Sequence, residues 1–272
     1  MNATTSTSAT RLKLSAEHAQ SSGLPKGRLL RAYLTEARYE SVRMLRSPGF
    51  SIPFLGMPVL LYLLFAVLIA GAAVQKDPAT ARFLFSGFTI FGIIGPGIFG
   101  FGIVVATERG QGLLRLKRAL PLPMGAYLLA KIIMAMVFAA IVMASILIAG
   151  MSLGHLELTA GQIVQVALIG ILGAVPFCAM GLLIGTWATE RSSAALVNLV
   201  YIPMLHLSGL FYPLPKGLQA LAPLWPAYHL NRLSLGVLGV VKPSGTLIHL
   251  AVLAGVTVLF GLIALRRLER VG

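Results

Sequence analysis

From Ile52 onward the chain alternates long uncharged runs with short charged connectors. Phe83–Thr107 and Ile132–Leu156 each hold 25 residues without a charge, and Leu158–Thr189 holds 32. A helix needs roughly 20 apolar residues to cross a bilayer core, so each run is long enough. The pattern predicts six spans: Ile52–Val74, Phe83–Ala106, Gly125–Gly150, a fourth within Leu158–Thr189 that Pro176 breaks, Ser193–Tyr212 and Thr246–Leu265. In the second span Gly92, Gly95, Gly97, Gly100 and Gly102 crowd around Pro96. Glycine lets helix backbones approach closely in lipid, so each fits plain helix packing, while together they suggest a helix that bends or slides.

Two stretches depart from this pattern. Over residues 26 to 46, Leu30, Tyr33, Leu34, Ala37 and Met44 share a helical face, with Arg28, Arg31, Glu36 and Arg43 away from it. Such a helix is too charged to span and lies in the membrane interface until Ser47-Pro48-Gly49 turns the chain inward. From Pro213 to Val241 the apolar pieces Gly217–Asn231 and Leu233–Val241 are separated by Arg232 and broken by Pro223 and Pro226. Neither is long enough to cross at about 1.5 Å per residue, and fusing them would place Arg232 in the bilayer. Two short helices dipping into the outer leaflet are expected there. The fold class is therefore an all-α polytopic membrane protein: a disordered tail over residues 1–25, an interfacial helix over 26–47, and a six-span bundle over 52–266 with a re-entrant helical hairpin before the last span. Residues 26–272 form one transmembrane domain.

Charge orients this bundle. The 272 residues include 22 Lys and Arg against 8 Asp and Glu, a formal net charge of +14. Eight of the basic residues precede Ser51, four lie between Glu108 and Pro123, and Arg266, Arg267 and Arg270 form the tail. That clustering is the positive-inside signature, with lipid headgroups rather than nucleic acid as counter-charge. Both termini fall in the cytoplasm. The Ser- and Thr-rich start lacks the apolar centre of a signal peptide. The single Cys178 excludes an internal disulfide.

The connector between the second and third spans, Glu108 to Pro123, carries Arg109, Arg115, Lys117 and Arg118, with Leu113, Leu116 and Leu120 on one helical face. A basic amphipathic helix offered to the cytoplasm suits docking of a soluble protein. Glu108-Arg109-Gly110, Leu113-Leu114, the Pro121/Pro123 break and Lys131 at the next span resemble the permease subunits of type-2 ABC exporters. The resemblance covers nearly all of the chain after Pro25. It implies that this loop is a coupling helix seated on a separate ATPase, with Glu108, Arg109, Gly110, Gly112, Leu113 and Leu116 as its coupling residues. It also implies a bacterial inner-membrane efflux permease that pairs with a second copy, a homodimer being favoured over a heterodimer.

The rest of the sequence agrees by what it omits. No phosphate-binding loop, zinc-protease motif or hydrolase elbow occurs, so no residue is assigned a catalytic or metal role, and ATP with Mg belongs on the partner. His155, His206, His229 and His249 are scattered without ligand spacing. The acidic residues all fall in loops or interfacial helices, which counts against an ion- or proton-coupled carrier. Missing catalytic constellations count against a membrane-embedded enzyme. In the fifth span Asn198, Tyr201 and Ser208 share a face. They either bond a neighbouring helix or line a substrate path between two permease subunits.

Overall fold

The computed structural model describes residues 26–114, 116 and 124–271, and every regular element among them is helical. The expected tail over 1–25, Arg115, Lys117 to Pro123 and Gly272 lie outside the described residues. Helix α1 (Lys26–Leu45) ends before extended Ser47, and Pro48 opens α2 (Pro48–Ile69). Within α2, Ile52–Gly56 and Leu63–Ile69 are π-helical. Pro53 and Pro58 supply no N–H to an i→i−4 ladder, and a wider turn accommodates such a gap. A short α3 (Gly71–Lys76) leads to Asp77, whose carboxylate accepts from the N–H groups of Ala79 and Thr80 at 3.1 and 3.2 Å and caps α4 (Pro78–Gly110).

Helix α4 has 33 residues, about 50 Å of rise, and is the mast of the bundle. It runs unbroken through Pro96. In its most apolar stretch 78% of residues are buried, against 17% in α2 and 11% in the last helix. Around it stand α5 (Met124–Leu153), α6 (Ala160–Leu172), α7 (Val175–Trp187), α8 (Glu190–Leu207), α9 (Pro226–Val237) and α10 (Thr246–Val271). Thr159 with Gln162, and Thr189 with Ser192, form capping boxes that start α6 and α8. Pro176 falls in the first turn of α7, so the expected break in the fourth run is the α6–α7 junction.

Five stretches are long and apolar enough to cross a membrane: Pro48–Ile69, Pro78–Gly110, Gly125–Leu153, Ala160–Trp187 and Thr246–Leu268. The expected fifth span is shorter than predicted. Helix α8 stops at Leu207, where Ser208 and Gly209, the latter at φ +65, turn the chain away. Of the breaks expected in the next stretch, that at Arg232 is absent and that at Pro226 is present. Arg232 lies inside α9, and the two short helices, a 3₁₀ turn (Gln219–Leu224) and α9, separate at extended Trp225 before Pro226. Proline pushes the preceding residue out of the helical region, whereas arginine is a good helix former.

The α4 glycines serve contact. A Cβ on Gly181 of α7 would stand 2.6 Å from the Ile98 carbonyl and 2.8 Å from that of Gly97. One on Gly185 would stand 2.5 Å from the Phe101 carbonyl. Helices α4 and α7 therefore cross backbone on backbone. The main core lies beside this crossing, built by Ile93, Ile94, Phe177, Met204 and Leu230.

Candidate functional site

Helix α1 buries only part of the face expected to be apolar. Leu30 and Leu34 are exposed, while Ala37, Glu40, Ser41 and Met44 are buried. The reason is α5, along which α1 advances in the same direction. The Tyr33 hydroxyl sits over Gly125, Glu40 meets Lys131, and Met44 clusters with Met134 and Phe138. Glu40 and Arg43, three apart, and Tyr127 and Lys131, four apart, each project from one side of their helix. The last turn of α4 adds Glu108 between them.

The five side chains form a closed network. Lys131, fully buried, lies 2.6 Å from one Glu40 oxygen and 3.4 Å from Glu108. Arg43 bridges the same two carboxylates at 2.9 Å each. The Tyr127 hydroxyl donates to Glu108, and the Lys131 ammonium lies 5.1 Å from the centre of the Tyr127 ring. Two carboxylates and two cations cancel. Burial acts to lower the pKa of Arg43, but Glu40 and Glu108 outweigh it and hold the guanidinium above its ordinary value. Taking charges out of water costs several kcal/mol per ion, so such a group persists where every charge has partners.

Two carboxylates are thus buried: Glu40 lies in the expected interfacial helix, while Glu108, expected in the connector, belongs to the last turn of α4. Glu40 and Glu108 are each about 95% buried. Sequence distance hid this, because the Glu40–Lys131 pair joins residues 91 apart.

The next residue turns the other way. Arg109 donates to the carbonyls of Thr186 and Ala188, among the last acceptors of α7, which carry the negative end of the helix dipole. Arg267 of α10 also donates to the Thr186 carbonyl, at 3.2 Å, and its guanidinium stands 4.2 Å from the Trp187 ring centre. Gln111 reaches Glu190 of α8 at 3.3 Å. Five helices therefore meet around the end of α4.

Beyond this junction the chain leaves the bundle. Gly110 packs on Glu190, since a Cβ there would lie 3.1 Å from its carboxylate. Gly112 takes φ +74 and a new helical turn starts at Leu113, with Leu116 N–H bonded to the Gly112 carbonyl at 3.3 Å. Leu113 and Leu116 are exposed and Leu114 is buried. The six coupling residues of the sequence reading thus divide. Glu108 and Arg109 are anchors inside the bundle, Gly110 and Gly112 shape the exit, and Leu113 and Leu116 form the outward face. Leu120 and the basic residues Arg115, Lys117 and Arg118 lie outside the described residues.

The three suggested path residues do not share one environment. Asn198 bonds back to the Ala194 carbonyl of its own helix at 2.9 Å. Tyr201 stands edge-on to Phe99 of α4, with ring centres 5.1 Å apart. Ser208 is buried beyond the end of α8, and its hydroxyl has no partner among the described residues. The outward face of α8 is instead Leu199, Ile202 and His206.

The reading by residue type missed Glu40, Arg43 and Tyr127 as a group, and the Gly181-x-x-x-Gly185 spacing. That spacing, plain in the sequence, marks the close crossing on α4. It also took the histidines as scattered, yet His229 and His249 pair through their Nδ1 atoms at 2.8 Å. No group of three or more metal-binding side chains forms among the described residues.

The comparisons agree with this architecture. The sequence profile described as "ABC-2 type transporter" matches residues 31–242. The protein named "Putative transport permease YvfS", from Bacillus subtilis (strain 168), is 28% identical over 193 residues, which cover 70% of this chain and 78% of that one.

Proposed function

This chain belongs to the ABC-2 type transporter family and is a multi-pass membrane transporter permease, and we propose that it forms the translocation path of an ATP-driven exporter. ATP and Mg would bind a separate ATPase, which docks on the segment that begins at Glu108. The permease would act as a dimer in the inner membrane, with six spans counting α8, both termini in the cytoplasm, and α4 and α8 facing the second copy. The re-entrant pair would be the 3₁₀ turn and α9. The exposed strip of Leu199, Ile202 and His206 on α8 supports that pairing.

One observation carries the reading. The connector after α4 is exposed and apolar at Leu113 and Leu116, while its root is tied by Glu108 to α1 and α5 and by Arg109 to the end of α7, whose Thr186 carbonyl also accepts from Arg267 of α10. A push on the exposed turn is thereby delivered to a rigid polar junction of several helices. A loop without these anchors would absorb the same push by bending.

Co-purification with the ATPase and substrate-stimulated ATP hydrolysis test the proposal. A Leu113→Ala/Leu116→Ala double variant should lose most ATPase retention and keep its thermal stability, because both side chains are exposed. Glu108→Gln should retain the ATPase and lose stimulated hydrolysis. Wild-type retention and stimulation in both variants would refute the assignment. For orientation, Ser244→Cys should react with membrane-impermeant reagents only from outside the cell.

A further inference from the structure

At the end of the bundle opposite the ion network, α6, α9 and the first turn of α10 enclose a cavity of about 320 Å³. Arg232, Lys242, His249, Gln165 and Ser244 line it, and no Asp or Glu does. Neither the Arg232 nor the Lys242 side chain makes an ion pair or hydrogen bond among the described residues. The histidine pair gives His249 a defined role. His229 Nε2 lies 2.9 Å from the Pro223 carbonyl, so it donates there, and its Nδ1 then accepts from His249 Nδ1–H at 2.8 Å. That leaves Nε2 of His249 as a free acceptor, which can take a hydroxyl proton but cannot donate to a phosphate oxygen. The N-terminal end of α10 adds its partial positive charge to the same wall.

Ile169 and Leu233 also line a neighbouring cavity of about 330 Å³, whose other walls are apolar residues of α6, α9 and α10, including Leu172, Leu250 and Leu253. Val175 and Thr257 line both that cavity and a third, of about 250 Å³, against α7, so the three lie in a row beside α10. From His249 to Thr257 the groove follows α10 for about 12 Å. One leaflet of a ~30 Å core is about 15 Å deep.

A cluster of cations without a counter-ion, placed at the head of an apolar groove of leaflet depth, has the charge and shape of an anionic phospholipid. We propose that this groove is a binding site for one such lipid. Its phosphate sits between Arg232 and Lys242, a headgroup hydroxyl donates to His249 Nε2, and one acyl chain lies between α6 and α10. The site rests on membrane placement and not on coupling to an ATPase, so either proposal can fail alone.

Native mass spectrometry of the full chain in detergent tests it, with phosphatidylglycerol and phosphatidylcholine of identical acyl chains as probes. Wild type should bind phosphatidylglycerol at least tenfold more tightly. Arg232→Gln/Lys242→Gln, which removes two exposed or half-exposed cations, should abolish that preference, a loss of roughly tenfold or more given the attraction each surface cation exerts on anionic lipid. Leu253→Trp should weaken both lipids alike by filling the groove. An unchanged melting temperature in the charge variant separates lost binding from lost fold. Equal binding of the two lipids by wild type, or a preference that survives the charge variant, would overturn the proposal. So would displacement of phosphatidylglycerol by an equal concentration of glycerol phosphate, which would make this a site for soluble anions.

Discussion

Cations stand at both ends of the bundle, and only at one do they meet counter-charges. Lys131 and Arg43 share two buried carboxylates and leave no charge unmatched. Arg232 and Lys242 line an open cavity without an acid. A matched cluster locks helices together, because moving any one of them strands a charge in low dielectric. An unmatched cluster does little for the fold and leaves its attraction for something outside the chain. The same residue type is thus structural at one end and receptive at the other, and the partner decides which.

Removing one cation at each end gives the sharpest contrast. Lys131→Met should destabilise the protein by about 3–5 kcal/mol by leaving Glu40 and Glu108 short of a partner. Arg232→Gln should stay within about 0.5 kcal/mol. Unfolding of both variants in one detergent measures this, and equal effects would end the distinction. Between the two ends, Gly181→Ala should cost about 1–3 kcal/mol, since the added methyl meets two carbonyls of α4. Gly255→Ala on peripheral α10, where nothing lies within 4 Å, should be neutral or slightly stabilising.

A smaller loss is expected for Arg109→Ala, about 1–2 kcal/mol from two charged hydrogen bonds at a partly exposed helix end. Faster amide exchange at the start of α8 would locate it. The smallest effect belongs to Asp77, exposed at the start of α4. Its hydrogen bonds from the Thr80 hydroxyl and the Ala79 N–H hold its pKa below the usual carboxylate value. The stability it adds is present above about pH 3.9 and is lost as pH falls through the lower folded-state pKa. Asp77→Ala should remove that acid dependence. A melting-temperature profile from pH 5 down to 2.5, compared with wild type, would detect the difference.

Much of the bundle was legible because bilayer thickness imposes a local rule on the chain. Run length alone placed α2, α4, α5, the α6–α7 pair and α10, and proline marked the α1–α2 and α6–α7 breaks. The errors came where local rules compete. Arg232 looked like a boundary by its charge, but its helix propensity kept it inside α9, and of the expected breaks the one at Pro226 held. Of the apolar face expected on α1, Ala37 and Met44 packed inward beside Glu40, while Leu30 and Leu34 stayed exposed, as apolar side chains in a membrane protein can. The exit turn at Leu113 and Leu116 was readable from its amphipathic spacing. The root of the site was not, because nothing near Glu108 in sequence announces Arg43 or Lys131.

Family, helical class and the positions of most crossing segments were determined by the sequence itself, through quantities that a short window contains. Which charges are buried, which glycines touch, and which cations stay unpaired were decided by tertiary structure. Those properties depend on contacts between residues tens of positions apart, and the cost of an unpaired charge exists only once packing has excluded water.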